Sequence, residues 1–272
     1  MIPLKRVLAS EWIVFTDLDG TLLDHHQYRA DPAMPMLARL AADGIAVVPA
    51  TSKTFAELEV LLERLPLSGA VIAENGASVH LPSAWGGQML VPSGIDYARV
   101  LAVLDELKAD FRFLGFHALG IEGIARETGL SPAQAALAAR RRASEPLLWQ
   151  DTEEALEAFA RALAAVGLRL IRGGRFVHVL GMQADKSRSV NWVLDWVRRR
   201  GWQGRSLALG DAPNDHAMLT QVDVAVVVRN PDSPAMPPLN LEQVYRTREE
   251  GPAGWAEAIG HLIYDHTGEK DE

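Results

Sequence analysis

The chain has 272 residues and no cysteine, which excludes disulfides, zinc sites with cysteine ligands and thiol nucleophiles. It carries 27 Lys and Arg against 35 Asp and Glu, and this net charge of −8 argues against a general nucleic-acid binder. Hydrophobic residues make up 48% of the chain, but no apolar run is long enough to span a membrane. We therefore expect a cytoplasmic protein without a nucleic-acid or membrane partner, either a monomer or a weak homodimer.

Buried strands and helices alternate in the first part of the chain. Short apolar runs bounded by polar residues predict strands at 12–16, 45–48 and 70–73. A helix is predicted at 33–43, and a second after Thr54, which has Glu57 three positions later as in a capping box. This spacing of strands and helices indicates right-handed βαβ units and a parallel sheet.

The middle of the chain has a different pattern. Segment 82–94 is rich in Pro and Gly and predicts a domain boundary. Beyond it, strands are predicted at 111–116, 147–149, 168–171 and 176–180, the last two as a hairpin across Gly173 and Gly174. Helices are predicted at 96–109 and 152–166, with two more inside 121–142, the second opened by Ser131 and Pro132.

The alternation resumes at Asp185. Helices are predicted from there to about 200, at 214–220 and at 254–264, with strands at 206–209 and 224–228. The predicted fold class is therefore α/β, with a doubly wound, mostly parallel sheet in a Rossmann-like core. This core is expected to comprise residues 1–82 and 181–272, and an α+β domain is expected to be inserted at 83–180.

Polar residues follow three of the predicted core strands: Asp17 and Asp19, Thr51 and Ser52, and Asp211 with Asp215. The carboxyl ends of parallel strands line one crevice, so these side chains are predicted to converge. Each pair of carboxylates about 4 Å apart would cost roughly 4 kcal/mol at an effective dielectric constant of about 20. A hard dication removes that cost, and a set of oxygen ligands favours Mg²⁺.

The chemistry of these residue types suits phosphoryl transfer. Asp17 is a candidate carboxylate nucleophile, and Asp19, two residues on, is a candidate general acid and base. Thr51 offers a hydroxyl and a backbone N–H to phosphoryl oxygens near a helix N-terminus. Lys186, at the start of a predicted helix, supplies a compact positive charge suited to a phosphoryl group.

The second acidic group has two interpretations. Asp211 is a candidate metal ligand, and Asn214 and Asp215 are candidates to orient the metal's waters or the nearby lysine. Alternatively, Asp211 and Asp215 only cap the following helix. In the same way, Asp17 and Asp19 alone are compatible with a solvated turn after a strand.

Taken in order, these motifs resemble those of a known superfamily. Asp17-Leu18-Asp19-Gly20-Thr21, a Thr after the second strand, a downstream Lys and Gly210-Asp211-Ala212-Pro213-Asn214-Asp215 resemble the four motifs of the haloacid dehalogenase superfamily. The resemblance implies a Mg²⁺-dependent phosphotransferase fold with Asp17 as nucleophile and Asp19 as acid and base. It further implies metal contacts from Asp17, the Asp19 carbonyl and Asp211, and an insert that is a C2-type cap.

A narrower resemblance extends over most of the chain. It rests on Pro49-Ala50-Thr51-Ser52-Lys53-Thr54, Glu74-Asn75-Gly76, Leu114-Gly115-Phe116, Thr128-Gly129-Leu130, Ser144-Glu145-Pro146 and Gly173-Gly174-Arg175-Phe176-Val177-His178, which are similar to segments of mannosyl-3-phosphoglycerate phosphatases. That family hydrolyses a phosphorylated sugar-glycerate to mannosylglycerate, a compatible solute, and phosphate. The sequence departs from the family pattern at Arg142, Ala143 and Ala77.

The candidate substrate-binding residues follow from position and resemblance: Ser52, Lys53, Glu74, Asn75, Arg141, Arg175 and His178. Arg175 suits the phosphoglycerate carboxylate, because arginine forms bidentate bonds with carboxylates. Arg175 and His178 are three apart, however, and on one strand they would point to opposite faces. Arg140 to Arg142 are expected to form a solvated helix face, with Arg141 singled out by the resemblance.

Three alternatives stay open on the sequence alone. The enzyme is expected to be a phosphoric monoester hydrolase, but glucosyl-3-phosphoglycerate or a hexose phosphate is an alternative substrate. A phosphomutase is a second possibility. A catalytically silent protein that binds a ligand on the same scaffold is the third.

Overall fold

The structure is a computed structural model that describes Leu8 and residues 10–24, 28–172 and 175–265. The strands in this part of the chain are β1 (Trp12–Thr16), β2 (Ala46–Pro49), β3 (Val71–Ala73), β4 (Ser78–His80), β5 (Met89–Leu90), β6 (Phe113–Gly115), β7 (Ser144–Trp149), β8 (Leu168–Arg172), β9 (Val177–Gly181), β10 (Arg205–Gly210), β11 (Val224–Arg229) and β12 (Val244–Glu250). The α-helices are α1 (Met34–Ala42), α2 (Phe55–Leu62), α3 (Tyr97–Leu107), α4 (Phe116–Thr128), α5 (Pro132–Ala138), α6 (Glu153–Ala165), α7 (Lys186–Arg198), α8 (His216–Leu219) and α9 (Gly251–Ile259). Within the described ranges, no helix has the length and apolar character needed to cross a membrane.

The central sheet is parallel and has five strands in the order β12-β11-β10-β1-β2. Its inner strands are apolar along their length because helices and loops cover both faces. In β1, Ile13 and Phe15 belong to the apolar cluster on one face, whereas Val14 belongs to the cluster on the other. The predicted α/β fold with a mainly parallel sheet is therefore confirmed.

β3 lies parallel to the segment that follows β2, as predicted, but only through a single bridge between Ala50 and Ile72. Its ladder partner is β4, and β3, β4 and β5 form a small antiparallel sheet. The cause is the turn at residues 74–76, where φ is positive at 53°, 57° and 88°. Left-handed residues reverse the chain, so β4 folds back along β3 instead of crossing over.

The inserted part contains a second, antiparallel sheet in the order β6-β7-β9-β8. It packs on α3 and α6 around an apolar cluster of its own that includes Leu147, Phe159 and Leu163. The predicted pairing of β8 with β9 is confirmed, and the proposed turn at Gly173 and Gly174 lies outside the described residues. We call this part the cap and the remainder the core; the domain limits 1–82, 83–180 and 181–272 stay predictions.

Two predicted helix starts are confirmed. Thr54 Oγ1 accepts a hydrogen bond from Glu57 N at 3.1 Å, and the Glu57 carboxylate accepts one from Thr54 N at 2.7 Å. Ser131 and Gln134 form the same reciprocal box at the start of α5. Such boxes satisfy N–H groups that the first helical turn leaves unpaired, so they fix where α2 and α5 begin.

The helix expected through Arg140 to Arg142 is wrong. α5 ends at Ala138, and residues 139–143, here called the cap loop, connect it to β7. Arg140 and Arg142 are exposed, as expected, but Arg141 is buried. The chain leaves the helix because the loop's backbone N–H groups bond to a carboxylate of the core, which is described below.

Candidate active site

The site lies at the carboxyl ends of β1 and β10, two adjacent strands of the parallel sheet. Asp17 follows β1, and Asp211 and Asp215 follow β10. Lys186 begins α7, whose N-cap is Asp185. The predicted convergence of these side chains is what the structure has: Lys186 Nζ lies 2.6 Å from Asp17 Oδ1 and 2.7 Å from Asp215 Oδ1.

This group is almost completely buried. Asp17, Lys186 and Asp211 are 7%, 5% and 5% exposed, and Asp215 is fully buried. Burial, and then the Asp215 carboxylate, raise the pKa of Asp17 well above its ordinary value against the opposing effect of Lys186. Burial works to lower the pKa of Lys186, but Asp17 and Asp215 outweigh it and hold that pKa above its ordinary value. The lysine is therefore charged, and it does not fully compensate the carboxylates around it.

The donor set fits a hard divalent cation. Asp17, Asp211 and Asp215 each offer a carboxylate oxygen, and these atoms lie within 4.8 Å of one another. Oxygen-only ligands are those that Mg²⁺ prefers, and a dication would offset the repulsion that raises the Asp17 pKa. Asp19, the other expected metal contact, is not a member of this carboxylate group, and its carbonyl contact stays a prediction.

Asp215 is arranged to orient its neighbours. One of its oxygens accepts from Lys186 Nζ, and the other accepts from the backbone N–H groups of Asp211 and Ala212 at 3.3 and 3.4 Å. Gly210 allows this approach, since a Cβ there would lie 2.5 Å from that of Asp215. Asn214, its predicted companion, is exposed and lines the same cavity.

Two residues beside Asp211 were missed by the sequence reasoning. Thr21 Oγ1 donates to Asp211 Oδ1 and Asn230 Nδ2 donates to Asp211 Oδ2, both at 2.6 Å. Together they fix both carboxylate oxygens of Asp211. Asn230 directly follows β11, so the rule that polar residues end core strands was sufficient to find it.

Asp19 is tied to Lys53. Lys53 Nζ lies 2.8 Å from Asp19 Oδ2, while Asp19 Oδ1 is buried without a hydrogen-bond partner among the described residues. The lysine also lies 4.9 Å from the ring centre of Tyr28, an exposed residue with a positive φ of 54°. Both Lys53 and Tyr28 line the cavity, so Asp19 sits at the border between the buried cluster and open space.

Thr51 departs in part from its expected role. Its backbone N–H donates to Ile72 O at 3.0 Å, so that group is not available to a phosphoryl oxygen. Its side chain is 1% exposed and its hydroxyl oxygen accepts from Lys53 N at 3.3 Å. Thr51 nevertheless lines the cavity together with Ser52 and Asn75.

Asp17, Lys186 and Asp211 line a cavity of about 1140 Å³ whose wall is formed by both core and cap residues. Core residues on its wall include Asp17, Lys186 and Asp211, and cap residues include Arg141 and Phe116. This volume exceeds the range of about 300–1000 Å³ common for small-molecule sites, so there is room for a ligand larger than phosphate.

Three predicted cap residues reach this cavity: Arg141, Arg175 and His178. The objection that Arg175 and His178 would face opposite sides does not hold, because β9 begins at Val177 and Arg175 precedes it. Burial, and then Arg141, lower the pKa of His178 to about 3, so its ring is neutral. Its Nδ1 is buried and has no hydrogen-bond partner among the described residues.

Glu74 does not line the cavity with the other predicted substrate-binding residues. It is fully buried, and its carboxylate accepts hydrogen bonds from Arg142 N, Ala143 N and Ser144 Oγ. Its neighbour Asn75 lines the cavity, and both residues have a positive φ, 53° for Glu74 and 57° for Asn75. The expected contact of Glu74 with substrate is therefore replaced by a contact with the cap.

Comparison with protein families agrees with this geometry. A family model described as haloacid dehalogenase-like hydrolase matches residues 14–144, and one described as sucrose-6F-phosphate phosphohydrolase matches residues 146–263. These matches support a haloacid dehalogenase-like hydrolase. The superfamily resemblance drawn from the motifs is thereby confirmed, while the narrower family stays a proposal.

Solved structures show the same fold. A protein from Thermoplasma acidophilum, 0175, superposes with a TM-score of 0.67 at 16% identity over 92% of this chain and 96% of the other. For the phosphatase-superfamily protein BT1666 from Bacteroides thetaiotaomicron the values are 0.65, 20%, 93% and 96%. For BT4131, described as a subclass IIB sugar phosphatase, they are 0.62, 18%, 92% and 98%. At these identities the likeness concerns the fold.

Proposed function

We propose that this chain is a Mg²⁺-dependent phosphomonoesterase that acts on mannosyl-3-phosphoglycerate and releases mannosylglycerate and phosphate. The observation that carries the proposal is the pairing of Asp17 with Lys186 at one end of a cavity whose other wall carries the arginines of the cap. A phosphate placed against Lys186 brings its phosphorus to the Asp17 carboxylate, and the rest of the substrate extends toward the cap.

The reaction has two steps on the core side. An Asp17 oxygen attacks phosphorus as the bond from phosphorus to the ester oxygen breaks, and Asp19 gives that oxygen its proton. Asp19 then takes a proton from water as the water oxygen attacks phosphorus, which regenerates Asp17 and yields phosphate. Lys186 balances charge on the phosphoryl oxygens throughout. Mg²⁺ held by Asp17 and Asp211 would supply further positive charge at the same oxygens.

The cap groups match the remaining chemistry of a glycosyl phosphoglycerate. The glycerate carboxylate suits the guanidinium of Arg141 or Arg175, because arginine forms charge-assisted hydrogen bonds with carboxylates. A neutral His178, with its unpartnered Nδ1, suits a sugar hydroxyl. Lys53 and Asn75 line the cavity on the core side and are placed for the same hydroxyls. These residues support the proposal that a sugar-glycerate is preferred over a plain phosphate ester.

A substrate panel tests the proposal. Phosphate release is measured with mannosyl- and glucosyl-3-phosphoglycerate, sucrose-6F-phosphate, hexose 6-phosphates and p-nitrophenyl phosphate, each with Mg²⁺. The highest kcat/KM is expected for the mannosyl compound. A higher value for a hexose phosphate would reject the substrate but keep the phosphatase, and no turnover of any ester would reject the enzyme.

One alternative substrate class has an observation in its favour. The second half of the chain matches the sucrose-6F-phosphate phosphohydrolase family model, which favours a phosphorylated sugar without a carboxylate. Arg141→Ala separates the two classes. If the arginine binds the carboxylate, the variant lowers kcat/KM for a phosphoglycerate by about tenfold or more. In that case kcat/KM for the hexose phosphates changes little.

A further inference from the structure

Glu74 links core and cap through side-chain hydrogen bonds, in addition to the two places where the backbone passes from one to the other. It lies in the turn after β3 on the core side, and its three hydrogen-bond donors are all in the cap loop or at the start of β7. Oε1 accepts from Arg142 N at 2.8 Å, and Oε2 accepts from Ala143 N at 3.2 Å and Ser144 Oγ at 2.7 Å. The carboxylate is fully buried, so these bonds are shielded from water.

The same loop carries Arg141 to the active site. Arg141 is 8% exposed, and its Nη1 donates to Ser52 O at 2.9 Å, next to Thr51. Its Nε donates to Ala138 O at 3.1 Å, which fixes the angle of the guanidinium. Nη2 makes no hydrogen bond within the described residues, and Arg141 lines the cavity. Glu74 therefore holds the backbone immediately after the residue that faces the ligand.

The turn that bears Glu74 is also packed against the phosphoryl-binding groups. Asn75 N donates to Thr51 O at 2.8 Å, and Ser189 Oγ on α7 donates to Gly76 O at 2.9 Å. A Cβ on Gly76 would lie 2.2 Å from the Asp185 carbonyl, so the turn touches the backbone that begins α7 and Lys186. Non-glycine residues with positive φ cost free energy, and Glu74 and Asn75 both have it.

We propose that Glu74 is a positioning residue that holds the cap loop against the core, so that Arg141 is preorganised to read the part of the substrate beyond the phosphate. The proposal rests on the proposed phosphatase function and deepens it. It assigns substrate discrimination to a buried carboxylate that does not touch the cavity. Removing it loosens Arg141 but leaves Asp17 and Lys186 in place.

The test compares two substrates in two variants. Glu74→Gln keeps the size of the side chain but turns one acceptor oxygen into an N–H donor that faces other donors. We expect kcat/KM for the glycosyl phosphoglycerate to fall about tenfold or more, mainly through KM, and kcat/KM for p-nitrophenyl phosphate to change by less than about threefold. Ser144→Ala removes one of the three bonds to Glu74 and a 3.5 Å hydrogen bond from Arg141 Nη1. It should shift the preference between the two substrates in the same direction as Glu74→Gln, by a smaller factor.

Two controls distinguish positioning from general damage. Glu145→Gln alters a carboxylate that is equally buried, but whose donors, Tyr97 Oη and His117 N at 2.8 Å, belong to the cap itself. This variant is expected to change the stability of the protein without changing the ratio of kcat/KM between the two substrates. Arg141→Ala combined with Glu74→Gln should lose no more than Arg141→Ala alone. Equal losses on both substrates, or additive losses in the double variant, would overturn the proposal.

A readout without catalysis separates this proposal from the function on which it rests. Trypsin cleavage after Arg140, Arg141 and Arg142, mapped by mass spectrometry, is expected to be faster in Glu74→Gln than in wild type or Glu145→Gln. If the wild type releases no phosphate from any ester, the proposed function is rejected, and this cleavage still tests the link. Unchanged cleavage would reject the link even in an active enzyme.

Discussion

Lys186 Nζ lies 2.6 Å from Asp17 Oδ1 across 169 positions of sequence, and both side chains are nearly inaccessible to water. One residue ends a strand and the other begins a helix of the same α/β core. A buried lysine and carboxylate at this distance form a charge-assisted hydrogen bond that orients both. The nucleophilic oxygen that we assign to Asp17 is therefore held beside the cation that would balance the phosphoryl group.

Replacing Asp17 by Asn should abolish phosphate release and leave the fold intact. The amide is not a nucleophile, so the rate is expected to fall by about 10⁴-fold or more. Stability should change little, because the variant loses a partner of Lys186 but also relieves the repulsion with Asp215 that raises the Asp17 pKa. Phosphate release and the thermal midpoint are measured on the same samples.

The control for that variant is Asp195→Asn, which removes the same charge from an exposed position of α7. Its activity is expected to match the wild type. Near-normal turnover by Asp17→Asn would rule out Asp17 as nucleophile. If Asp17→Asn loses the circular dichroism spectrum of the folded protein, the test is repeated with the smaller replacement Asp17→Ser. The same loss of activity is expected.

The edge of the sheet that carries the candidate active site was predictable from sequence, because the rules that place it are local. Apolar runs such as 224–228 define buried parallel strands, and the residues that follow such strands must meet at one edge. This rule predicts that Asp17, Asp211 and Asp215 converge, and in the structure their carboxylate oxygens lie within 4.8 Å of one another. Lys186 could be placed beside them because its position in the motif order put it at the start of a helix.

Other features depend on contacts that the local pattern does not encode. β12 was missed because its residues are mostly exposed and it lies at the edge of the sheet, so it has no apolar run. The role of Glu74 was not predictable, because its carboxylate is held by donors about 70 positions away and its positive φ is rarely indicated by sequence outside glycine. Arg141 was assigned to a helix because the local sequence pattern does not show that the next residue, Arg142, donates a hydrogen bond to Glu74, 68 positions away.

Magnesium should both stabilise the protein and be required for activity. A cation that binds the folded state alone raises the thermal midpoint in proportion to the logarithm of its concentration above Kd. We expect a rise with Mg²⁺ in wild type, and a smaller rise in Asp211→Asn, which keeps Thr21 and Asn230 as neighbours but loses a charged ligand. Scanning fluorimetry at a series of Mg²⁺ concentrations measures this rise of the thermal midpoint.

The same samples give the activity arm of that experiment. EDTA is expected to stop phosphate release, and Mg²⁺ in excess of the chelator is expected to restore it. Asp195→Asn again serves as the matched control and should keep the wild-type Mg²⁺ response. Full activity in EDTA, or an equal thermal shift in Asp211→Asn and wild type, would contradict a metal at this group of carboxylates.

His178 should make the protein less stable in acid. Burial, and then Arg141, lower its pKa to about 3 in the folded state, against about 6.5 in an unfolded chain. The neutral ring therefore contributes stability above pH 6.5, and this contribution is lost as the pH falls from 6.5 toward 3. At pH 4 the loss amounts to about 3 kcal/mol at most for this one group.

The measurement is urea unfolding of wild type and His178→Gln at several pH values between 7 and 4. The free energy of unfolding should fall less steeply with acid in the variant, because glutamine does not titrate. Phe176→Leu, a neighbour on the cap without a titratable group, should lower stability by a similar amount at every pH. Parallel pH curves for wild type and His178→Gln would contradict a partly buried ring that stays neutral in the folded state.

Helix α9 should support β1, the strand that ends next to Asp17. Trp255 is fully buried, its Nε1 donates to Thr16 Oγ1 at 3.0 Å, and Thr16 Oγ1 donates to Asp17 O at 2.7 Å. Trp255→Phe loses a hydrogen bond and leaves a void, so the free energy of unfolding should fall by about 2–3 kcal/mol. Trp192→Phe, at a partly buried tryptophan, should cost less than about 1 kcal/mol.

Thr16→Val combined with Trp255→Phe should cost about 1 kcal/mol less than the sum of the two single variants, since they remove one shared bond. Strictly additive losses would show that the bond contributes nothing to holding α9 against β1.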